Sequence, residues 1–203
     1  MARQSFSKAA LHKEIAQLKR YQQFLPSLDL KRQLLIVERY KTATDLAKIE
    51  RQIGECRTII TENIPMISDY RIALKDLVVI SDVSVGNENS VGVNLPVLKG
   101  IQVINKPYST YAKPHWVDQT VIQLQCMLEL KVRLLIEQRR LDILNAAVKK
   151  VTQRVNFFDK ILIPKAKQTI KKISIFISDT ERAGVVRAKI TKQKRLMKGV
   201  RCP

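Results

Sequence analysis

The stretch LLIEQRRLDILNAAVKKVTQRVNFFDKIL, residues 134–162, decides how this chain folds. Leu134, Leu141, Val148, Val155 and Leu162 recur every seven residues, with Leu144, Val151 and Phe158 interleaved. That spacing lines apolar side chains along one stripe of an α-helix, the seam through which two helices pair. A matching seam lies upstream, where Leu46, Ile53, Ile60 and Ile67 keep the same interval with Ile49 and Cys56 between them. The two seams predict partners for each other, with Pro65 kinking or ending the first. Still earlier, Leu11, Leu18 and Leu25 hold heptad spacing with Ile15, and the phase then shifts near Pro26 to Leu28 and Leu35. Such a shift predicts a break in the supercoil.

Between the seams the periodicity changes to two. Val83 and Val85, then Val91, Val93 and Leu95, flank Gly86-Asn87-Glu88-Asn89-Ser90, which predicts a β-hairpin turning within 86–90. Pro96 confines the second strand to an edge, and Ile101 to Ile104 adds a further extended piece. Lys106 to His115 reads as a return loop, with the second helix starting near Asp118, whose carboxylate caps it. The expected fold is therefore mainly α: a long antiparallel two-helix coiled coil with a short β-hairpin head. Its parts are residues 1–72 as the N-terminal coiled-coil helix, 73–116 as head and return loop, and 117–203 as the C-terminal helix with a basic tip. Folding about residue 92 sets residue 46 opposite 139 and residue 11 opposite 174. It leaves about 20 residues beyond Gly184 without a partner, roughly 30 Å of single helix, on a shaft of roughly 100 Å.

Composition agrees with long helices. Apolar residues make up 45% of the chain and aromatics 5%, with six glycines and seven prolines, too few rings and turn residues for a loop-rich globular core. The formal charge is +19. Residues 1–41 hold nine Lys and Arg against three Asp and Glu, and residues 160–203 hold thirteen against two, whereas the middle is almost neutral. Bringing the two ends together makes a basic pole that attracts an acidic protein cavity, an anionic membrane surface or a nucleic acid. A single-strand or RNA binder interleaves stacking rings with its basic residues, and the only ring in 160–203 is Phe176. Nucleic acid is therefore the runner-up partner.

Cys56, Cys126 and Cys202 are widely spaced and odd in number, which indicates neither a disulfide framework nor a zinc site and suits a reducing compartment. The basic N-terminus lacks a signal-peptide apolar run, and no stretch approaches the roughly 18 apolar residues of a membrane span, so a soluble cytoplasmic protein is expected. His12 and His115 have no ligand partners at metal spacing, Gly86 and Gly92 do not build a phosphate loop, and no nucleophile–base or paired-carboxylate arrangement emerges. No catalytic, cofactor or metal residue is assigned.

The candidate sites are surfaces. Pro164 removes an amide donor within a helical pattern at a cost of about 3 kcal/mol, and reads as a wanted bend or as an incidental kink tolerated by packing. The terminal run Lys189, Lys192, Lys194, Arg195, Lys198 and Arg201 reads equally as a solvated tail or, through its apolar line of Val186, Ile190 and Met197, as a face suited to a hydrophobic bearing.

The segment Thr152-x-Arg154-Val155-Asn156, then Ile163-Pro164 and Thr169-Ile170-x-x-Ile173, closely resembles the signature of the D subunit of V-type rotary ATPases. The likeness extends more weakly to Lys31-Arg32, Val91-Gly92-Val93 and Pro96, and departs from the family at Phe24-Leu25-Pro26, where a small residue is usual. The resemblance implies a non-catalytic central-stalk rotor subunit of a proton- or sodium-translocating ATPase or ATP synthase. It also implies its partners: the catalytic A- and B-type subunits of the headpiece ring, a small F-type rotor subunit, and a socket subunit on the membrane rotor. The chain would then be peripheral on the cytoplasmic face of the membrane. Within that likeness Arg154, Asn156 and Pro164, together with Lys189, Lys192, Lys194 and Arg195, are the expected partner-binding residues. Two alternatives stand beside it: a coiled-coil stalk or adaptor of a secretion-system ATPase, and a basic nucleic-acid-associated helical protein.

Overall fold

The computed structural model describes residues 5–68, 74, 77–109, 111 and 113–199. They fall into two compact units, one formed by Lys31–Val151 and the other by Met1–Leu30 with Thr152–Pro203. Helix α1 spans Lys8–Asn63, strands β1 and β2 span Val78–Ser90 and Val93–Asn105, helix α2 spans Trp116–Phe157, and helix α3 spans Ile163–Gly199. The mainly helical chain with a two-stranded sheet between its arms is the architecture the seams predict. Arg201 and Cys202 lie outside the described residues.

Helix α1 is capped by Ser7, whose Oγ accepts the Ala10 N–H at 3.2 Å. It runs unbroken through Pro26, with Leu25 and Leu28 half-buried on either side. Packing on both flanks offsets the donor that the proline lacks. The division between the two units falls just beyond it, after Leu30. Pro65 does end the helix, because Ile64 donates the last bond, to Ile60 O at 3.0 Å, and Pro65–Ser68 forms a 3₁₀ turn. Ile67 therefore leaves the heptad seam and packs instead beside a core of Ile64, Leu77, Trp116, Val117 and Val121.

The head differs from expectation in its turn. Gly86 to Ser90 belong to β1, and the chain reverses at Val91-Gly92, with φ of 54° and 75°. Two consecutive positive φ angles give the turn whose twist matches that of paired strands. Asn89 fixes it: its Oδ1 accepts the Gly92 N–H at 2.9 Å and its Nδ2 donates to Asn94 Oδ1 at 3.0 Å. The antiparallel ladder runs from Val78 opposite Asn105 to Ser90 opposite Val93, with irregularities between Ile80 and Asp82 and between Ser84 and Val85. Pro96, opposite Asn87, sits on an edge because both strands are edges. The tip lies beside α1, since a Cβ on Gly92 would stand 3.3 Å from Lys31 Nζ.

Helix α2 begins two residues before Asp118, at Trp116, and the Asp118 carboxylate accepts a hydrogen bond from the Tyr108 hydroxyl. In the Lys31–Val151 unit the seam positions Leu46, Ile49, Ile53, Cys56 and Ile60 are half-buried, while Leu35 and Leu144 are fully buried. Thr42 is buried as well, its hydroxyl satisfied by Glu38 O at 3.0 Å. In the other unit Leu11, Ile15, Leu18 and Leu25 are half-buried, and Val155, Ala166 and Ile173 are buried.

Pro164 has an unexpected antecedent. Phe158–Leu162 is a turn of π-helix, closed by the Ile163 N–H donating to Phe158 O. Seam residues step by three and four alternately up to Phe158, but Leu162 and then Ala166 each follow after four. The wide turn takes up that additional residue and brings Pro164 in just after it.

Candidate partner-binding surfaces

The residues expected to bind partners occupy two separate stretches of one arm. Arg154 and Asn156 are exposed and flank buried Val155; Pro164 is exposed at the start of α3. Of the motif, Val155 and Ile173 are buried and Thr152, Ile163, Thr169 and Ile170 half-buried, so roughly half of it serves packing and its polar members Arg154 and Asn156 face outward. Lys189, Lys192, Lys194 and Arg195 are all exposed on α3. Thirty-five residues separate Arg154 from Lys189, about 50 Å of helix, so the two groups are distinct surfaces and not one site.

On α3 the positions of Val186, Ile190 and Met197 share one face within about 40° at 100° per residue. They are 54%, 47% and 65% exposed, an uncovered apolar stripe among cations. Between Arg182 and Arg195 the chain carries no acid, so the stripe lies in an unopposed positive field.

The same arm is held to the N-terminal segment by contacts that periodicity does not disclose. Phe6 and Phe176 stack at 5.1 Å between centroids, and Tyr21 meets Phe158 edge-on at 5.6 Å and 79°. Lys8 and Glu181 form an ion pair at 2.7 Å, and the carboxylate raises the Lys8 pKa. Both side chains are open to water, so the pair marks register more than it stabilises. These pairs, with Glu38 and Arg140 in the other unit, fall within two helical turns of the opposition expected from folding about residue 92.

The Lys31–Val151 unit holds a charge cluster that the sequence does not announce. Arg140 Nη2, on a side chain only 15% exposed, bridges Glu38 Oε1 at 3.1 Å on α1 and Glu88 Oε2 at 3.6 Å on β1. One guanidinium thus ties both arms to the hairpin. Its sequence signal is weak, because Arg139 and Arg140 are adjacent and nothing marks which one turns inward. In the same unit, an open groove of about 400 Å³ is lined by Ile49, Lys99, Glu129, Arg133, Ile136 and Glu137 among others. Burial raises the pKa of Glu137; Arg140 opposes the shift and Asp45 adds to it.

Among the described residues no cluster of His, Cys, Asp and Glu could hold a metal ion, and no helix is long and apolar enough to cross a membrane. What remains defines a class by its elements: a mostly helical chain with a two-stranded antiparallel sheet between its helices and an uncovered basic segment on α3. The family model for the D subunit of ATP synthase matches residues 10–193. The chain belongs to that ATP synthase D-subunit family. It is 30% identical over 200 residues to the V-type ATP synthase D subunit of Borreliella burgdorferi, covering 98% of each chain. It is 33% identical over 193 residues to the V-type ATP synthase D subunits of Chlamydia felis and Chlamydia abortus, covering 93% of this chain and 91% of each relative.

Proposed function

We propose that this chain is the central-stalk rotor subunit of a V-type ATPase or ATP synthase, carrying torque between a ring of catalytic subunits and a membrane rotor that moves protons or sodium ions. The observation that carries this reading is the family match across residues 10–193, which takes in both arms and the hairpin together. The chain performs no chemistry in this scheme: it turns, and ATP is made or hydrolysed on its partners. Paired arms suit the task, since two helices locked along a seam resist twisting better than one.

In the proposed assembly the basic α3 end enters the ring of A- and B-type subunits, where its apolar stripe runs against a hydrophobic bearing and its cations meet acidic walls. Arg154, Asn156 and Pro164 lie along the shaft, within reach of the lower ring or of a small F-type subunit, and a socket subunit on the membrane rotor takes the opposite end. The chain is then peripheral, on the cytoplasmic face. The secretion-system alternative has no feature in its favour beyond the helical hairpin. A nucleic-acid role is disfavoured because Phe176, the ring within the basic segment, is engaged with Phe6.

Reconstitution with the A- and B-type subunits tests the proposal. Deleting residues from Gly184 onward should leave a folded chain that joins the ring poorly and uncouples ATP turnover from rotation. Converting Lys189, Lys192, Lys194 and Arg195 to Glu should impair assembly at low salt, with the defect shrinking as ionic strength rises. A truncated chain that couples as well as the full one would remove the α3 end from the mechanism.

A further inference from the structure

Cysteines on the two arms take no part in the functions above. We propose that Cys56 and Cys126 form a reversible dithiol–disulfide site that small-molecule disulfides oxidise, tying α1 to α2 covalently beside the hairpin.

The geometry begins with register. Ile49 on α1 lines the same groove as Arg133 and Ile136 on α2. In an antiparallel pair, seven residues onward in one arm correspond to seven residues back in the other, and a heptad restores the same face. From Ile49 that step reaches Cys56; from Arg133 it reaches Cys126. The side chains agree with that register, for Cys126 is near enough to Cys56 to act on its thiol. Both are free thiols in the structure, Cys126 exposed and Cys56 half-buried. Burial, then the neighbouring Cys126, raise the Cys56 thiol pKa, so the exposed sulfur is the one poised to react first.

The chemistry balances without an outside electron acceptor beyond the disulfide itself. The Cys126 thiolate attacks one sulfur of a small disulfide; a bond forms between them, the disulfide bond breaks, and one small thiolate leaves. Cys56 then gives its proton to water and attacks the Cys126 sulfur, forming the interhelical bond and expelling the second small thiolate. Both released thiolates take up protons. Two protein thiols have lost two electrons, and one small disulfide has become two thiols. In a reducing medium the pair rests open, and an oxidising shift closes it.

The test uses the full chain with Cys202→Ser, which leaves only the two cysteines, exposed to oxidised glutathione. The expected product is a monomer lighter by two hydrogen atoms, with neither thiol open to alkylation until dithiothreitol is added. Adding Cys56→Ser should halt the reaction at a glutathione adduct on Cys126. A Cys202→Ser protein that retains both thiols, stops at an adduct with Cys56 still alkylatable, or links only between chains would overturn the proposal. Because glutathione capture in the Cys56→Ser variant reports access to Cys126 alone, a failure of pairing is separable from a failure to react.

Discussion

Arg140 shows how much a single side chain can organise. It contacts α1 through Glu38 and the hairpin through Glu88 from a largely buried position, so removing it leaves Glu38, itself only 22% exposed, with the longer pair to Lys41 at 3.8 Å. Arg140→Ala should cost roughly 1–3 kcal/mol in denaturant unfolding, since a partly buried carboxylate that loses its hydrogen-bonded guanidinium loses more than a surface pair is worth. Arg140→Lys should recover part of that, because one ammonium cannot reach two carboxylates with the spread of a guanidinium. If Arg140→Ala unfolded like the parent, the bridge would be decorative. Glu137, in the groove of the same unit, acts with the opposite sign. Its folded pKa lies above the ordinary 4.5, so the folded chain keeps the proton to higher pH than the unfolded chain does. Stability should fall as pH rises from about 4.5 through the folded pKa and stay lower above it. Glu137→Gln should abolish that decline and melt higher than the parent at neutral pH. A decline unchanged in the variant would assign it to another group.

At the scale of elements, the hairpin separates what pattern predicts from what geometry adds. Alternating valines identify two strands, but composition puts the turn at Gly86–Ser90 because Gly and Asn are the usual turn formers. The chain instead turns at Val91-Gly92, and Val91 holds φ of 54°, where a β-branched side chain is strained. Asn89 explains the choice by bonding across the turn from its own strand. Val91→Asn should therefore stabilise the hairpin by about 1 kcal/mol, measured as slower amide exchange at Asn89 to Asn94. Faster exchange there would show that Val91 is kept for a packing contact. The helices are more legible. Leu144, Val151 and Val155 are buried where heptads place them, because a seam is a one-dimensional signal. Thr42 and Thr120 are invisible to that signal because their hydroxyls bond the backbone of their own helix, to Glu38 O and Trp116 O, which lets polar residues pass as core.

For the whole molecule, charge and hydropathy constrain function together in a way that neither does alone. The +19 charge alone is compatible with an acidic protein, a membrane or a nucleic acid. The seams alone fit many coiled coils. Family membership narrows both, and the exposed line of Val186, Ile190 and Met197 is then the surface proposed to meet a partner. The proposed partner surfaces are only half legible because exposure, unlike burial, imposes no periodicity on sequence. Arg154 and Asn156 stand out through the motif, and nothing else in their neighbourhood distinguishes them from other solvated polar residues.

The π turn at Phe158–Leu162 carries a consequence for orientation. A helix advances 100° and about 1.5 Å with every residue, so one residue held in a wide turn acts as a phase setting for everything after it. Losing a single residue there would barely shorten α3, yet it would swing the stripe at Val186, Ile190 and Met197 through more than a quarter of a revolution relative to Val155. The angle at which the terminal segment meets its surroundings is thus written in one turn of backbone, some 25 residues before the first side chain that reads it.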